Sequence, residues 1–87
     1  MTLFLASVRD AEEAGLALHA GADIVDLKDP TQGALAALPP DIIAACVKQV
    51  AGRAPVSATV GDLPLEGDGV RAAIRKTASL GVDYVKL

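Results

Sequence analysis

The sequence predicts an α/β fold built on a parallel sheet, and three observations carry that prediction. Short apolar runs recur about every 30 residues with a helix-length stretch between them, which is the spacing of a βαβ unit. Apolar residues make up 52% of the 87, mostly Ala, Val, Leu and Ile, with Phe4 and Tyr84 the two aromatics. That composition suits strands covered on both faces. Residues 20–27, A-G-A-D-I-V-D-L, match residues 80–87, L-G-V-D-Y-V-K-L, at Gly, Asp, Val and Leu. Each copy of this weak repeat reads as a helix end followed by a strand.

The elements follow in order. Leu3 to Val8 is a first strand. Asp10 can cap the next helix, with Glu13 completing a capping-box pattern. That helix runs to about His19 and ends at Gly21, a natural left-handed C-terminal position. Ile24 to Lys28 is the second strand, and the loop after it carries Gly33 and Pro39-Pro40. Ile43, Cys46, Val47 and Val50 form the apolar stripe of a second helix that Gly52 ends. Val56 to Val60 is the third strand, and Gly61-Asp62-Leu63-Pro64 opens its loop. A third helix starts near Asp68 or Gly69, with a stripe of Val70, Ala73, Ile74, Thr77 and Ala78, and Gly81 closes it. Asp83 to Leu87 is the fourth strand.

The order β-α-β-α-β-α-β has no closing helix. A flavodoxin-like sheet normally has a fifth strand and a final helix. A (β/α)8 TIM barrel takes about 250 residues. Residues 1–87 are therefore expected to be the N-terminal half of a TIM barrel, from a longer protein or a truncated gene product.

Charge and composition exclude several classes. Net charge is -3, without a basic cluster or aromatic platform, so no nucleic-acid partner is expected. No apolar run approaches the roughly 20 residues of a membrane span, and no membrane partner is expected. The start M-T-L-F lacks the basic region of a signal peptide. The single cysteine, Cys46, excludes an intrachain disulfide and suits a reducing cytoplasm, the expected location. Cys46 falls on an apolar stripe and reads as a packed thiol. His19, near a helix end, reads as a solvated capping residue. No Cys or His spacing suggests a metal, and no cofactor is expected. Glu66-Gly-Asp-Gly69 lacks the Lys or third glycine of a nucleotide-binding fingerprint. Gly33 and Asp62 could approach a substrate, but ordinary turns explain both.

One stretch breaks the apolar pattern. In D-I-V-D-L-K-D-P, Asp26 and Lys28 interrupt a buried strand two residues apart. Charges there are costly unless paired or used. Side chains alternate along a strand. Val25 and Leu27 therefore share one face, and Ile24, Asp26 and Lys28 the other. In the third strand Ser57 and Thr59 oppose Val56, Ala58 and Val60; in the fourth, Tyr84 and Lys86 oppose Val85. The polar face of a barrel points into the lumen. Aligning the repeat sets Asp26 level with Lys86, with Lys28 about 6–7 Å nearer the C-terminal rim. Active sites of this architecture sit at that rim. A lone lysine at a strand end is usually just solvated. Two lysines and an aspartate of one parity favour a site, in which Asp26, Ser57 and Thr59 meet the substrate.

The residue types suit amine chemistry. A lysine attacks a carbonyl only when deprotonated, and a neighbouring cation or a dry pocket promotes that form. One lysine could form a Schiff base while the other moves protons. Asp26 would orient a lysine or stabilise an iminium.

"DIVDLKDPTQGALAAL", "VSATVGDLP" and "GVDYVKL" together resemble the (5-formylfuran-3-yl)methyl phosphate synthase family, also called 4-(hydroxymethyl)-2-furancarboxaldehyde-phosphate synthase. The resemblance spans all 87 residues and covers the N-terminal part of the enzyme. It implies a TIM barrel and a lyase, of the carbon-oxygen type acting on phosphates. The enzyme condenses two glyceraldehyde 3-phosphate molecules into the furan product, an early step toward methanofuran-type one-carbon carriers. It also implies that Lys28 is the Schiff-base lysine and Lys86 the proton acceptor. The family's later acidic and basic site residues, and its phosphate-binding loops, lie outside this sequence. The expected partner is thus a small phosphorylated aldehyde, and a homo-oligomer is expected. The alternative is an inactive half-barrel that acts only as a structural or oligomerising module.

Overall fold

A computed structural model describes residues 2–29, 37–60 and 68–86. Its elements are β1 (Leu5–Val8), α1 (Ala11–His19), β2 (Ile24–Leu27), α2 (Pro40–Val50), β3 (Val56–Thr59), α3 (Asp68–Ser79) and β4 (Tyr84–Lys86). All four strands are parallel and ordered β1-β2-β3-β4 in one sheet. Each crossover moves one strand in the same direction. A doubly wound sheet would reverse at a switch point; this one does not. The chain is thus α/β, with the continuous winding compatible with one half of a barrel.

The local signals act as expected. The Asp10 side chain accepts from the Glu13 backbone N–H at 2.8 Å, and Glu13 Oε1 accepts from the Arg9 N–H at 2.8 Å. Glu13 thus reaches the residue before the cap rather than the cap itself. α2 starts on Pro40, whose missing N–H costs nothing in a first turn.

The strands are shorter than the apolar runs suggest, and aspartate side chains join the ladder at its N-terminal end. Asp23 Oδ2 accepts from the Phe4 N–H at 2.7 Å, and the Asp23 N–H donates to the Phe4 carbonyl at 2.7 Å. Asp83 does the same to Val56, both bonds at 2.8 Å. The two copies of the sequence repeat therefore make the same clamp on the preceding neighbour strand.

Val25 and Leu27 of β2 and Val56 and Ala58 of β3 lie in one core with Ala14, Ala17, Ile43, Cys46 and Val50 of α1 and α2. Each fully buried aliphatic side chain contributes about 2 kcal/mol. Gly15 brings α1 against α2: a Cβ there would lie 3.1 Å from Gln49 Nε2. The third helix departs from expectation. Thr77 alone in α3 is buried, and Ala78 of its expected stripe is exposed, because α3 packs on an edge strand. Among the described residues no helix is long and apolar enough to cross a membrane. Gly33, Asp62, Glu66 and Leu87 lie outside the described residues.

Candidate active site

The face turned away from the core carries the polar groups. Ser7, Asp26 and Ser57 stand side by side in register across β1, β2 and β3. Ser57 Oγ donates to Asp26 Oδ1 at 2.7 Å, and Ser7 Oγ donates to Asp26 Oδ2 at 3.2 Å. Lys86 Nζ pairs with Asp26 Oδ1 at 2.7 Å. The Asp26 side chain is 2% exposed and that of Lys86 44%. Burial by itself would push the Asp26 carboxyl up. The Lys86 ammonium and the Ser57 and Ser7 hydroxyls outweigh burial and hold it below its usual range. Asp26 is therefore a carboxylate at neutral pH, with its acceptor sites engaged.

Lys86 differs from the height that the repeat suggests. In the sheet register Asp26 faces Ser57, and Ser57 faces Tyr84; Lys86 faces Thr59. Lys86 thus stands one pleat period beyond Asp26, and its long side chain crosses β3 to reach back. The repeat aligns positions within two strands, whereas hydrogen bonding sets how the strands slide past each other.

Lys28 follows β2 directly, and its backbone N–H donates to the Val8 carbonyl at 3.2 Å. With Ser7, Arg9 and Glu13 it lines a cleft of about 240 Å³ at the C-terminal end of β1. Arg9 and Glu13 close one wall as an ion pair at 2.9 Å. Among the described residues none forms an ion pair with the Lys28 amine. Thr59 is 1% exposed, and its Oγ1 has no hydrogen-bond partner among the described residues.

Asp26, Ser57 and Lys86 thus come together in direct contact. Lys28 occupies the adjoining cleft, and Thr59 lies opposite Lys86. Sequence reasoning missed Ser7, Arg9 and Glu13. Ser7 carries the same alternation signal as Ser57, since it opposes Ala6 and Val8. Arg9 and Glu13 were legible only as a helix-start pattern. His19 is exposed in the last turn of α1, and Cys46 is fully buried, its thiol pushed up to about 11 by burial. Among the described residues no His, Cys, Asp and Glu side chains are grouped to hold a metal ion.

This face can do two things chemically. It holds the Lys86 amine against a buried carboxylate. It also presents a second amine, Lys28, to a cleft large enough for a small aldehyde.

Comparison with known proteins agrees in residue range and in name. Residues 4–87 match the family model described as 4-HFC-P synthase. A Methylorubrum extorquens protein provisionally named (5-formylfuran-3-yl)methyl phosphate synthase is 51% identical over 83 residues, which cover 95% of this chain and 34% of that one. The synthases of that name from Methanosarcina mazei and Methanocaldococcus jannaschii are 41% identical over 83 residues and 40% over 85. Those stretches cover 95% and 98% of this chain, and 36% of each relative. The chain therefore spans about a third of the length of these relatives, in keeping with an N-terminal part. By family model and by identity, the chain belongs to the 4-HFC-P synthase family.

Proposed function

We propose that this chain forms the first half of a TIM barrel that condenses two glyceraldehyde 3-phosphate molecules into (5-formylfuran-3-yl)methyl phosphate through a Schiff base on Lys28. The relatives' name supports the product, and a methanofuran-type pathway is what the family resemblance implies. The observation that carries the mechanism is the division between the lysines: Lys86 is paired with buried Asp26, and Lys28 lines the cleft with no ion-pair partner among the described residues.

In this reading the Lys28 amine adds to the aldehyde carbon. The Lys86 ammonium supplies the proton with which the former carbonyl oxygen leaves as water, and an iminium remains. Lys86 is then a neutral amine. It takes a proton from the carbon beside the iminium, and the resulting enamine attacks the second triose. Asp26 and Ser57 act on the substrate through Lys86, whose ammonium they orient. Across the whole reaction one phosphate and two waters are lost.

The test is reductive trapping on the full-length protein. Borohydride with glyceraldehyde 3-phosphate should leave a mass adduct on Lys28. Lys28→Arg should abolish it, because a guanidinium stays protonated. Lys86→Arg should trap substrate more slowly, with water replacing the lysine as proton donor in the dehydration, and form no furan. Trapping on Lys86 in place of Lys28 would reverse the roles, and an absence of any adduct would sink the Schiff-base reading.

A second reading has its own observation. Tyr84 on β4 is 59% exposed and Leu5 on β1 is 50% exposed, at the two edges of the sheet. Open edges favour pairing. If the chain serves as a structural half-barrel, it should self-associate through these strands and leave triose phosphate unchanged. Light scattering and a furan absorbance assay on the same sample separate the two readings.

A further inference from the structure

The polar face carries three hydroxyls among the described residues of β1 to β3: Ser7, Ser57 and Thr59. Two are engaged on Asp26. Thr59 is the exception, fully buried with Oγ1 unpaired among the described residues. Buried hydroxyls are nearly always hydrogen-bonded, so an unpaired one calls for a group that uses it. Its position narrows the choice. Thr59 faces Lys86 in register. Leu27 faces Ala58, so the next residues along, Lys28 and Thr59, adjoin. Thr59 therefore lies in register between the backbone positions of the two lysines. Lys86 crosses β3 to reach Asp26, so its side chain passes over the stretch that holds Thr59. Lys86 is the more exposed member of that pair.

We propose that Thr59 donates a hydrogen bond to the oxygen of the substrate aldehyde while the Lys28 amine adds to it, once Lys86 has lifted from Asp26. This rests on the reading of Lys28 as the imine-forming amine. The Lys28 nitrogen bonds to the aldehyde carbon as the carbonyl π pair moves onto oxygen, where the Thr59 hydroxyl meets it. A proton passes from that nitrogen to the oxygen, giving a carbinolamine. The carbon–oxygen bond then breaks as the Lys86 ammonium protonates the departing hydroxyl. Water leaves, and the nitrogen lone pair completes the iminium. Thr59 finishes with the hydrogen it began with. A neutral donor suits this place, because it strengthens as charge develops on oxygen and does not perturb the lysines.

The experiment compares Thr59→Val, equal in shape, with Thr59→Ser in the full-length protein. The readouts are the rate of borohydride-trapped adduct on Lys28 and the thermal midpoint. Thr59→Val should slow trapping by about 100-fold, the usual effect of losing one such donor. Its melting temperature should hold or rise, because an unpaired buried hydroxyl is removed. Thr59→Ser should keep most of the rate. If the wild type traps substrate and Thr59→Val traps it equally fast, the Thr59 inference fails and the Lys28 reading stands. If the wild type traps nothing, the Lys28 reading itself fails. A fall of several degrees in the Thr59→Val midpoint would make the hydroxyl structural and also overturn the inference.

Discussion

Residues 20–27 and residues 80–86 are built alike and used differently. Both begin with a glycine at positive φ, Gly21 at 93° and Gly81 at 99°. Both continue with an aspartate that clamps the neighbouring strand. Both then place a valine toward the helices. After that they part. β2 lies between two strands, and Val25, Asp26 and Leu27 are all buried. Among the described residues β4 pairs with β3 alone, with Tyr84 and Lys86 exposed and Val85 half-buried. The position that holds a buried carboxylate in the first copy holds a half-exposed amine in the second. The buried Asp, ringed by donors, is the anchor of the ion pair. One local frame therefore supplies both partners of that pair.

The sharpest way to break that comparison is to remove the anchor. Asp26→Asn keeps the shape but leaves Lys86 without its carboxylate. Furan formation in the full-length protein should fall at least about 100-fold, as for loss of a proton-transfer group. Stability should drop by about 1–3 kcal/mol, read from urea denaturation. Normal turnover in this variant would show that Lys86 needs no anchor.

Paired truncations test the packing difference. Val25→Ala should cost roughly 2 kcal/mol or more, since Val25 is fully buried. Val85→Ala should cost less than about half of that, because a half-buried valine has less transfer energy to lose. Equal costs in denaturant melts would mean that β4 is as well covered as β2.

The glycines give a smaller contrast. Gly21→Ala meets no atom within 4 Å and should cost about 1–2 kcal/mol, the price of a left-handed alanine. Gly81→Ala adds a Cβ 3.0 Å from Val47 Cγ1, so its cost should exceed that of Gly21→Ala.

Acid titration reads the anchor without mutation. The folded state holds the Asp26 carboxyl below its usual range. Its contribution is complete above about pH 4, the ordinary Asp value, and is lost as pH falls through the lower folded value. Circular dichroism melts should show stability falling with acid below that pH, with a shallower fall in Asp26→Asn. The smallest effect concerns Cys46. Its thiol, raised to about 11, should ignore a thiol reagent at pH 8 in the native protein and react fully once unfolded.

Much of this architecture was legible in order and type. The helix starts and stops came from Asp10, Glu13, Gly21, Gly52 and Gly81, whose effects act within one turn of chain. The polar face came from alternation, which is a property of any extended strand, and it selected Asp26, Lys28, Ser57, Thr59 and Lys86. The same alternation in β1 pointed to Ser7, but its neighbours Leu3 and Leu5 are apolar and masked the signal.

The sequence by itself determined the run of elements, which residues share a face, and the family. Each of these depends on periodicity or on local conformational preference. Tertiary structure alone decided that the strands add in unbroken order, that Lys86 stands opposite Thr59 rather than Asp26, and that it reaches across β3 to a carboxylate already bonded to two serines. It also decided that Thr59, chemically much like Ser57, is left without a hydrogen bond among the described residues. Those outcomes depend on how strands slide against each other and on how far a side chain reaches, and both are settled by contacts between residues 19 to 60 positions apart.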